Sequence, residues 1–243
     1  MRLDADSLER LVPDTLRAGD DTGDQTLRLH LERYEFAARQ AAGTRVLDVA
    51  CGVGYGSRYL SERLPGAEVT GVDLSPAAIE YAGRRYGGER TRFVCADVFG
   101  FEDAAGFDTI VTLETIEHLP DPARFIARLV TMLRPGGVLV GSAPTTPSVD
   151  ANPHHLHDFT EASFRALFAG HGLAEAAALR QVHRYSPVAL LTRREPRLGD
   201  VRRNLPAYYA AHPAALLRRL ASTLRYGFSN RYLTVAWRRP DQR

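Results

Sequence analysis

Lysine is missing altogether: all 31 basic residues of this 243-residue chain are arginines. A bias that complete reflects a GC-rich coding source rather than a particular function. Cysteine is nearly missing as well. Cys51 and Cys95 are the two present. Both read as lying at core strand ends, neither has metal-ligand spacing, and a disulfide framework is not implied. No apolar run approaches the roughly 18 residues of a membrane-crossing helix. The opening "MRLDADSLER" carries acids where a signal peptide needs an apolar stretch. These absences set the expectation of a soluble, cytoplasmic protein with no membrane partner. What remains is ordinary for a globular chain, with 44% hydrophobic and 25% charged residues. The length suits one large α/β domain or two small ones.

Charge is unevenly spread. Residues 1–149 hold 16 arginines and 22 acids, whereas residues 150–243 hold 15 arginines and 7 acids. The basic second half admits an anionic ligand, nucleic acid or membrane as partner, or is simply a solvated face of an arginine-rich chain.

Residues 3–24 are polar and aspartate-rich, and read as an arm or lid. "QTLRLHLERYEFAARQAA" (25–42) sets Leu27, Leu31, Tyr34 and Ala38 at helical spacing, with Gly43 as its stop. From residue 44 the period changes. "TRVLDVA", "AEVTGVD", "TRFVCAD", "GFDTIVTL" and "GGVLVGSAP" predict five strands. Helices separate most of them, one capped by Ser75 with Pro76 behind it and one by Asp121 with Pro122 behind it. Thr160 caps a further helix, "LAEAAALRQV" is a candidate sixth strand, and "NRYLTVAWRR" (230–239) alternates like a last one. Between these two strands lies an amphipathic stretch, "AALLRRLASTLRYGF". The alternation predicts an α/β fold: a Rossmann-like, seven-stranded, mostly parallel sheet with helices on both faces and a helical insertion before the last strand. The expected division is an N-terminal arm and helix (1–43) serving as a lid, a core (44–182), a helical cap or insertion (183–229), and a final strand and tail (230–243). Ligands on such sheets bind beyond the carboxyl ends of the strands.

The stretch "VLDVACGVGYGSRYL" (46–60) puts Gly52, Gly54 and Gly56 between a strand and a helix. Lacking Cβ, they allow a tight turn and close backbone approach, and the helix start offers N–H groups to an anion. Asp73 ends the second strand, where an acid accepts hydrogen bonds from ribose hydroxyls. A nicotinamide fingerprint wants a glycine where Ser57 stands. Asp48, inside the first strand, repels a pyrophosphate but suits a cationic ligand. Asp97, ending the third strand, can accept from an exocyclic amine. The set is far more specific than any member.

On these residues the chain resembles the class I S-adenosylmethionine-dependent methyltransferases, strongly over about residues 44–143. The motifs carrying the resemblance are "LDVACGVGYG", Asp73, Asp97, "FDTIVTLETIEHLPDP" and "LRPGGVLVGSAP". It implies S-adenosylmethionine as cofactor. Asp48 would orient it, backbone at Gly52 and Gly54 would approach it, Asp73 would hold the ribose, Leu74 would pack on adenine, and Asp97 with Val98 would meet the adenine edge. Ala50, Tyr55, Leu113 and Glu114 complete the expected cofactor set, with Tyr34 or Arg33 reaching the methionine carboxylate. The (N/D)PP(Y/F) motif of nucleobase and amide N-methyltransferases is replaced here by "LETIEH", which disfavours that class.

"LETIEH" is also similar to the ExxEH stretch of ubiquinone-pathway O-methyltransferases. Read as one helical turn it places Glu114, Glu117 and His118 on one face, a candidate site for a divalent cation such as Mg²⁺. A second histidine group, His154, His155 and His157, follows the fifth strand. An extended loop would put His155 and His157 on one side and His154 on the other. His118, His154, His155 and His157 are the candidate bases, because imidazole takes a proton near neutrality. The expectation is O-methylation of a small polar metabolite, an anionic one included, with a sugar or sugar acid ahead of a phenolic or quinol acceptor. A nucleic-acid methyltransferase and a non-catalytic cofactor-binding protein are the rival readings, with nucleic acid disfavoured as a partner. The 183–229 insertion is the candidate surface for a homodimer.

Overall fold

The computed structural model describes residues 11–16, 21–186, 202 and 204–241. Seven strands form one sheet: β1 (Arg45–Val49), β2 (Glu68–Asp73), β3 (Thr91–Cys95), β4 (Phe107–Thr112), β5 (Leu133–Pro144), β6 (Ala174–Arg184) and β7 (Ser229–Arg238). Their order is β3-β2-β1-β4-β5-β7-β6. The first five run parallel, and β7 is antiparallel to both β5 and β6. The expected sheet is therefore the one observed.

The helices are α1 (Asp21–Gln40), α2 (Tyr55–Arg63), α3 (Pro76–Tyr86), α4 (Pro122–Met132), α5 (Glu161–Ala169), α6 (Leu205–Ala211) and α7 (Pro213–Tyr226), with a 3₁₀ turn at Ile116–His118. Their starts follow local chemistry. The side chains of Ser75, Asp121 and Thr160 accept from the backbone N–H of Ala78, Arg124 and Ser163, satisfying donors that a helix start leaves unpaired. α1 begins four residues before the sequence pattern suggested, with Asp21 and Asp24 in its first turn, where carboxylates offset the helix dipole.

The inner strands β1, β4 and β5 are buried on both faces, and their period of two divides the core. Leu47, Ile110 and Leu139 pack on one side with Phe125, Leu129, Phe164 and Trp237. Val46, Val111 and Val140 pack on the other with Tyr34, Ala37 and Leu60. Each of the valines, leucines, isoleucine and phenylalanines among them contributes about 1.5–3 kcal/mol by leaving water. Cys51 is buried, but Cys95 is exposed, against the expectation of two core positions: β3 is an edge strand.

Part of the arm is built in. Val12 packs on Val53 and Ala78, and Asp14 accepts from Tyr81 and Arg85. Residues 1–10 and 17–20 of the arm, and residues 187–201 and 203 of the insertion, lie outside the described residues. The insertion's described part is two helices, α6 and α7, which share His212 as cap. Among the described residues, no helix is long and apolar enough to cross a membrane.

Candidate active site

The strand order reverses between β1 and β4, and a cleft of about 360 Å³ opens at their carboxyl ends. The glycine loop forms its floor. Gly54 caps α2 in a left-handed conformation, φ +86°, and a Cβ there would meet Phe93 and Ala82 at 2.7 Å. Gly56 serves packing instead: a Cβ on it would land inside the Tyr34 ring.

Of the expected cofactor residues, Tyr34, Ala50, Gly52, Tyr55, Asp73, Leu113 and Glu114 line this cleft together with His118. Asp48 sits beneath it, 1% exposed. Ser57 donates to Asp48 Oδ2 at 2.6 Å, and the Tyr34 hydroxyl donates from 3.3 Å. Burial pushes the Asp48 carboxyl up to about 7. Ser57 and Tyr34 pull it down, while the charge of Asp73 adds to the rise. Burial, with the charge of Asp48 behind it, also raises the Tyr34 phenol well above its ordinary value. Ser57, at a position where a nicotinamide site wants glycine, thus has a definite task. Asp73 braces the loop, accepting from the N–H of Gly52 at 2.9 Å and of Ser75 at 2.8 Å.

Gly54, Leu74, Asp97 and Val98 do not line the cleft. Leu74 is 69% exposed, and Asp97 accepts from the N–H of Phe99 beyond β3. Arg33 is engaged inside the protein. It is 1% exposed, donates to Gln181, lies over the Tyr232 ring and stands 3.4 Å from Glu114. That leaves Tyr34 as the member of the pair on the cleft wall. Leu11, His30, Cys51, Val53 and Thr115 also line it and were not foreseen. His30 Nδ1 lies 2.6 Å from the Tyr55 hydroxyl, a contact between helices that no motif announces.

The "LETIEH" stretch departs from the expected helical turn. Glu114 has φ +50°, a left-handed conformation that costs a non-glycine residue about 1–3 kcal/mol. The Glu114 N–H donates to Ser142 Oγ, and the Ser142 hydroxyl donates back to Glu114 Oε1 at 2.7 Å. This turns Glu114 away from Glu117 and His118, so the trio Glu114–Glu117–His118 does not form a common site. Glu117, His118 and His155 do converge, with potential ligand atoms all within 4.8 Å of one another.

The histidine loop closes over this group. The N–H groups of Leu156 and His157 donate to the Glu117 carbonyl, and Asp158 accepts from the N–H of Ser148 and Val149. The loop is turned rather than extended, with His155 N–H reaching the Asn152 carbonyl, so its histidines separate. His155 meets His118 edge to face at 4.7 Å and has Nδ1 2.7 Å from Ser148 Oγ. His157 Nε2–H donates to the Leu119 carbonyl, and its ring sits against Phe159. His154 is exposed, and its carbonyl accepts from His118 Nδ1. A carbonyl can only accept, so His118 carries a proton on Nδ1.

The insertion is fastened to the same loop. Asp150, 2% exposed, accepts from Arg219 through both oxygens and from the Tyr209 hydroxyl at 2.6 Å. Arg202 donates to the carbonyls of Val149 and Asp150. Burial alone would raise the Asp150 carboxyl; Arg219 and Tyr209 outweigh it and hold it low.

A family profile described as "Methyltransferase domain" matches residues 47–141. The phthiotriol/phenolphthiotriol dimycocerosates methyltransferase of Mycobacterium leprae is 36% identical over 122 residues, 49% of this chain and 45% of that protein. The ubiquinone biosynthesis O-methyltransferase of Xanthomonas oryzae pv. oryzae is 40% identical over 111 residues, 44% of this chain and 45% of that protein. The chain spans about half the length of these curated relatives. The crystal structure of the N-methyltransferase NodS from Bradyrhizobium japonicum, in complex with S-adenosyl-L-homocysteine, has the same fold. Its TM-score is 0.61 at 17% identity, covering 95% of this chain and 94% of that one.

Proposed function

The chain carries a class I S-adenosylmethionine-dependent methyltransferase domain, and from that premise we propose that the protein transfers the sulfonium methyl to a hydroxyl oxygen of a small molecule. The observation carrying this reading is the edge of the cleft at His118, with His155 packed edge to face against it. It offers an imidazole at the carboxyl ends of β4 and β5, beside the cofactor loop. Bound in this cleft, S-adenosylmethionine would supply a sulfonium methyl for in-line displacement by the acceptor oxygen, with the thioether as leaving group, and His118 would take the hydroxyl proton. Holding donor and acceptor in line is worth up to about 7–11 kcal/mol, and a positioned base adds a factor of about 10²–10⁴. The buried Asp48 carboxylate and the braced Asp73 suit a cationic, ribose-bearing cofactor.

A carboxylated sugar as acceptor needs a cationic clamp in the cap. Two described cap arginines, Arg202 and Arg219, are already held by the loop's carbonyls and Asp150. This favours an uncharged acceptor and moves a phenol or quinol, or a lipid-borne alcohol, ahead of a sugar acid. The names of the Xanthomonas and Mycobacterium relatives support the same order.

A metal-assisted variant has its own observation in the convergence of Glu117, His118 and His155. Two imidazoles and a carboxylate suit a transition-metal dication better than Mg²⁺, which prefers oxygen ligands throughout. Such an ion would lower the pKa of the acceptor hydroxyl. His118 would then be a ligand, and proton removal would no longer rest on it.

The test is transfer of labelled methyl from S-adenosylmethionine to catechols, quinols, lipid alcohols and sugars, with and without chelator. The proposal expects label in an ether of a phenol or uncharged alcohol. Label appearing in nitrogen or carbon acceptors alone, or in none, would overturn it.

A further inference from the structure

α7 turns an apolar face outward. Leu217, Leu220 and Leu224 recur at helical spacing and are 68%, 50% and 89% exposed, with Phe228 just beyond them at 53%. The other face holds the helix to the protein through buried Ala215 and through Arg219 on Asp150. Contiguous exposed leucines of this kind mark an interaction surface. Its chemistry is one-sided. Arg218 and Arg225 are exposed on the same helix, Arg225 and Arg231 both lie over the Tyr226 ring, and Arg184 stands exposed at the end of β6, opposite Ser229. Residues 201–240 contain no aspartate or glutamate to balance these arginines.

We infer that this face docks on an anionic lipid surface, with the leucines entering the acyl boundary and the guanidinium groups at the level of the phosphates. A lipid surface accommodates both halves of the pattern. A second copy of the chain would cover the leucines but bring Arg218 and Arg225 against their own counterparts, with no carboxylate on the helix to pair them. A nucleic acid would meet the arginines and leave the leucines in water. The expectation of no membrane partner rested on the lack of a spanning segment, and α7, with 14 residues, is well short of the roughly 20 needed to cross. A helix lying in the interface needs no such length. Because Arg219 ties this helix to the histidine loop, docking would bring the acceptor site to the lipid. On the O-methyl transfer reading, which this consequence alone rests on, the acceptor is then taken from the lipid phase.

The experiment is flotation of the full chain with vesicles of phosphatidylcholine, and with vesicles of phosphatidylcholine and phosphatidylglycerol in equal parts. Binding is expected to the mixed vesicles, weakened by salt. It should fall roughly fivefold for each of R218A and R225A and be lost in L217S/L220S/L224S. Unchanged cofactor affinity and circular dichroism would show that these variants are folded. Three results overturn the inference: no binding to mixed vesicles, a solution dimer that the triple serine variant converts to monomer, or binding to RNA but not to vesicles. Flotation needs no turnover. A protein that floats but transfers no methyl refutes the enzymatic reading alone, and one that transfers but does not float refutes this inference alone.

Discussion

Asp48 offers a direct test of the proposal that the cleft holds S-adenosylmethionine. Its carboxyl is raised from an ordinary value of 3.8 to about 7, chiefly by burial. A folded-state pKa above the unfolded one means that the folded chain holds this proton more tightly. The associated stability is complete below about pH 4 and is lost as pH rises from about 4 to about 7. A rise of that size corresponds to about 4 kcal/mol at most. Binding of a cationic sulfonium next to Asp48 favours the carboxylate, so cofactor and proton compete. Affinity for S-adenosylmethionine should rise with pH up to about 7 and then level off. At about pH 6, roughly one molecule in ten has Asp48 ionised, which weakens binding about tenfold. Titration calorimetry between about pH 5.5 and 8.5, in buffers of different ionisation enthalpy, would show proton release on binding at the acid end. Asp48→Asn keeps the shape and the Ser57 and Tyr34 contacts but cannot ionise. Its affinity should be weaker than the parent's above neutrality and flat with pH. Urea unfolding at about pH 8 should find it more stable than the parent by about 1–3 kcal/mol, the carboxylate penalty less about 1–3 kcal/mol for an amide proton without an acceptor. A flat profile in the parent, or an unchanged slope in the variant, would refute the reasoning.

Arg219→Ala leaves a buried carboxylate without its guanidinium. Full loss of a buried pair costs about 3–5 kcal/mol; with Tyr209 still donating, roughly half of that is expected, seen as faster hydrogen exchange across residues 205–226 and a raised KM for the acceptor at unchanged cofactor affinity. Gly56→Ala drives a methyl into the Tyr34 ring, so it should destabilise the fold by about 1–3 kcal/mol and weaken cofactor binding, as thermal melts with and without cofactor would show. Substitution of His118 or His155 by alanine should leave cofactor affinity intact and lower kcat by about 10²–10⁴, whereas His154→Ala and His157→Ala should change kcat by less than about tenfold, as single-turnover rates would show.

The sheet was legible in the sequence because parallel strands covered on both faces read as apolar runs, and because Ser75, Asp121 and Thr160 mark helix starts by local chemistry alone. The shape of the glycine loop was legible for the same reason: Asp48, the glycines and Asp73 lie within one strand–loop–helix–strand unit. What escaped depends on contacts distant in the chain. The Glu114–Ser142 exchange puts Glu114 in a left-handed conformation and undoes the helical turn expected of "LETIEH". The turn at Asn152 separates His155 from His157 and brings His155 to His118. Asp150 was no more than the first letter of a histidine-rich stretch until Arg219, 69 residues later, reached it. Leu11 and His30 enter the cleft through the packing of the arm and α1, which leaves no motif.

A structure of the protein with S-adenosylhomocysteine and a phenolic acceptor tests the central claim most directly. The account predicts the ribose on Asp73, the amino acid moiety above Asp48, and the sulfur aimed at an acceptor oxygen within hydrogen-bond reach, about 2.6–3.2 Å, of the His118 ring. A sulfur facing away from His118 and His155, or an acceptor bound outside the β4–β5 edge, would contradict it.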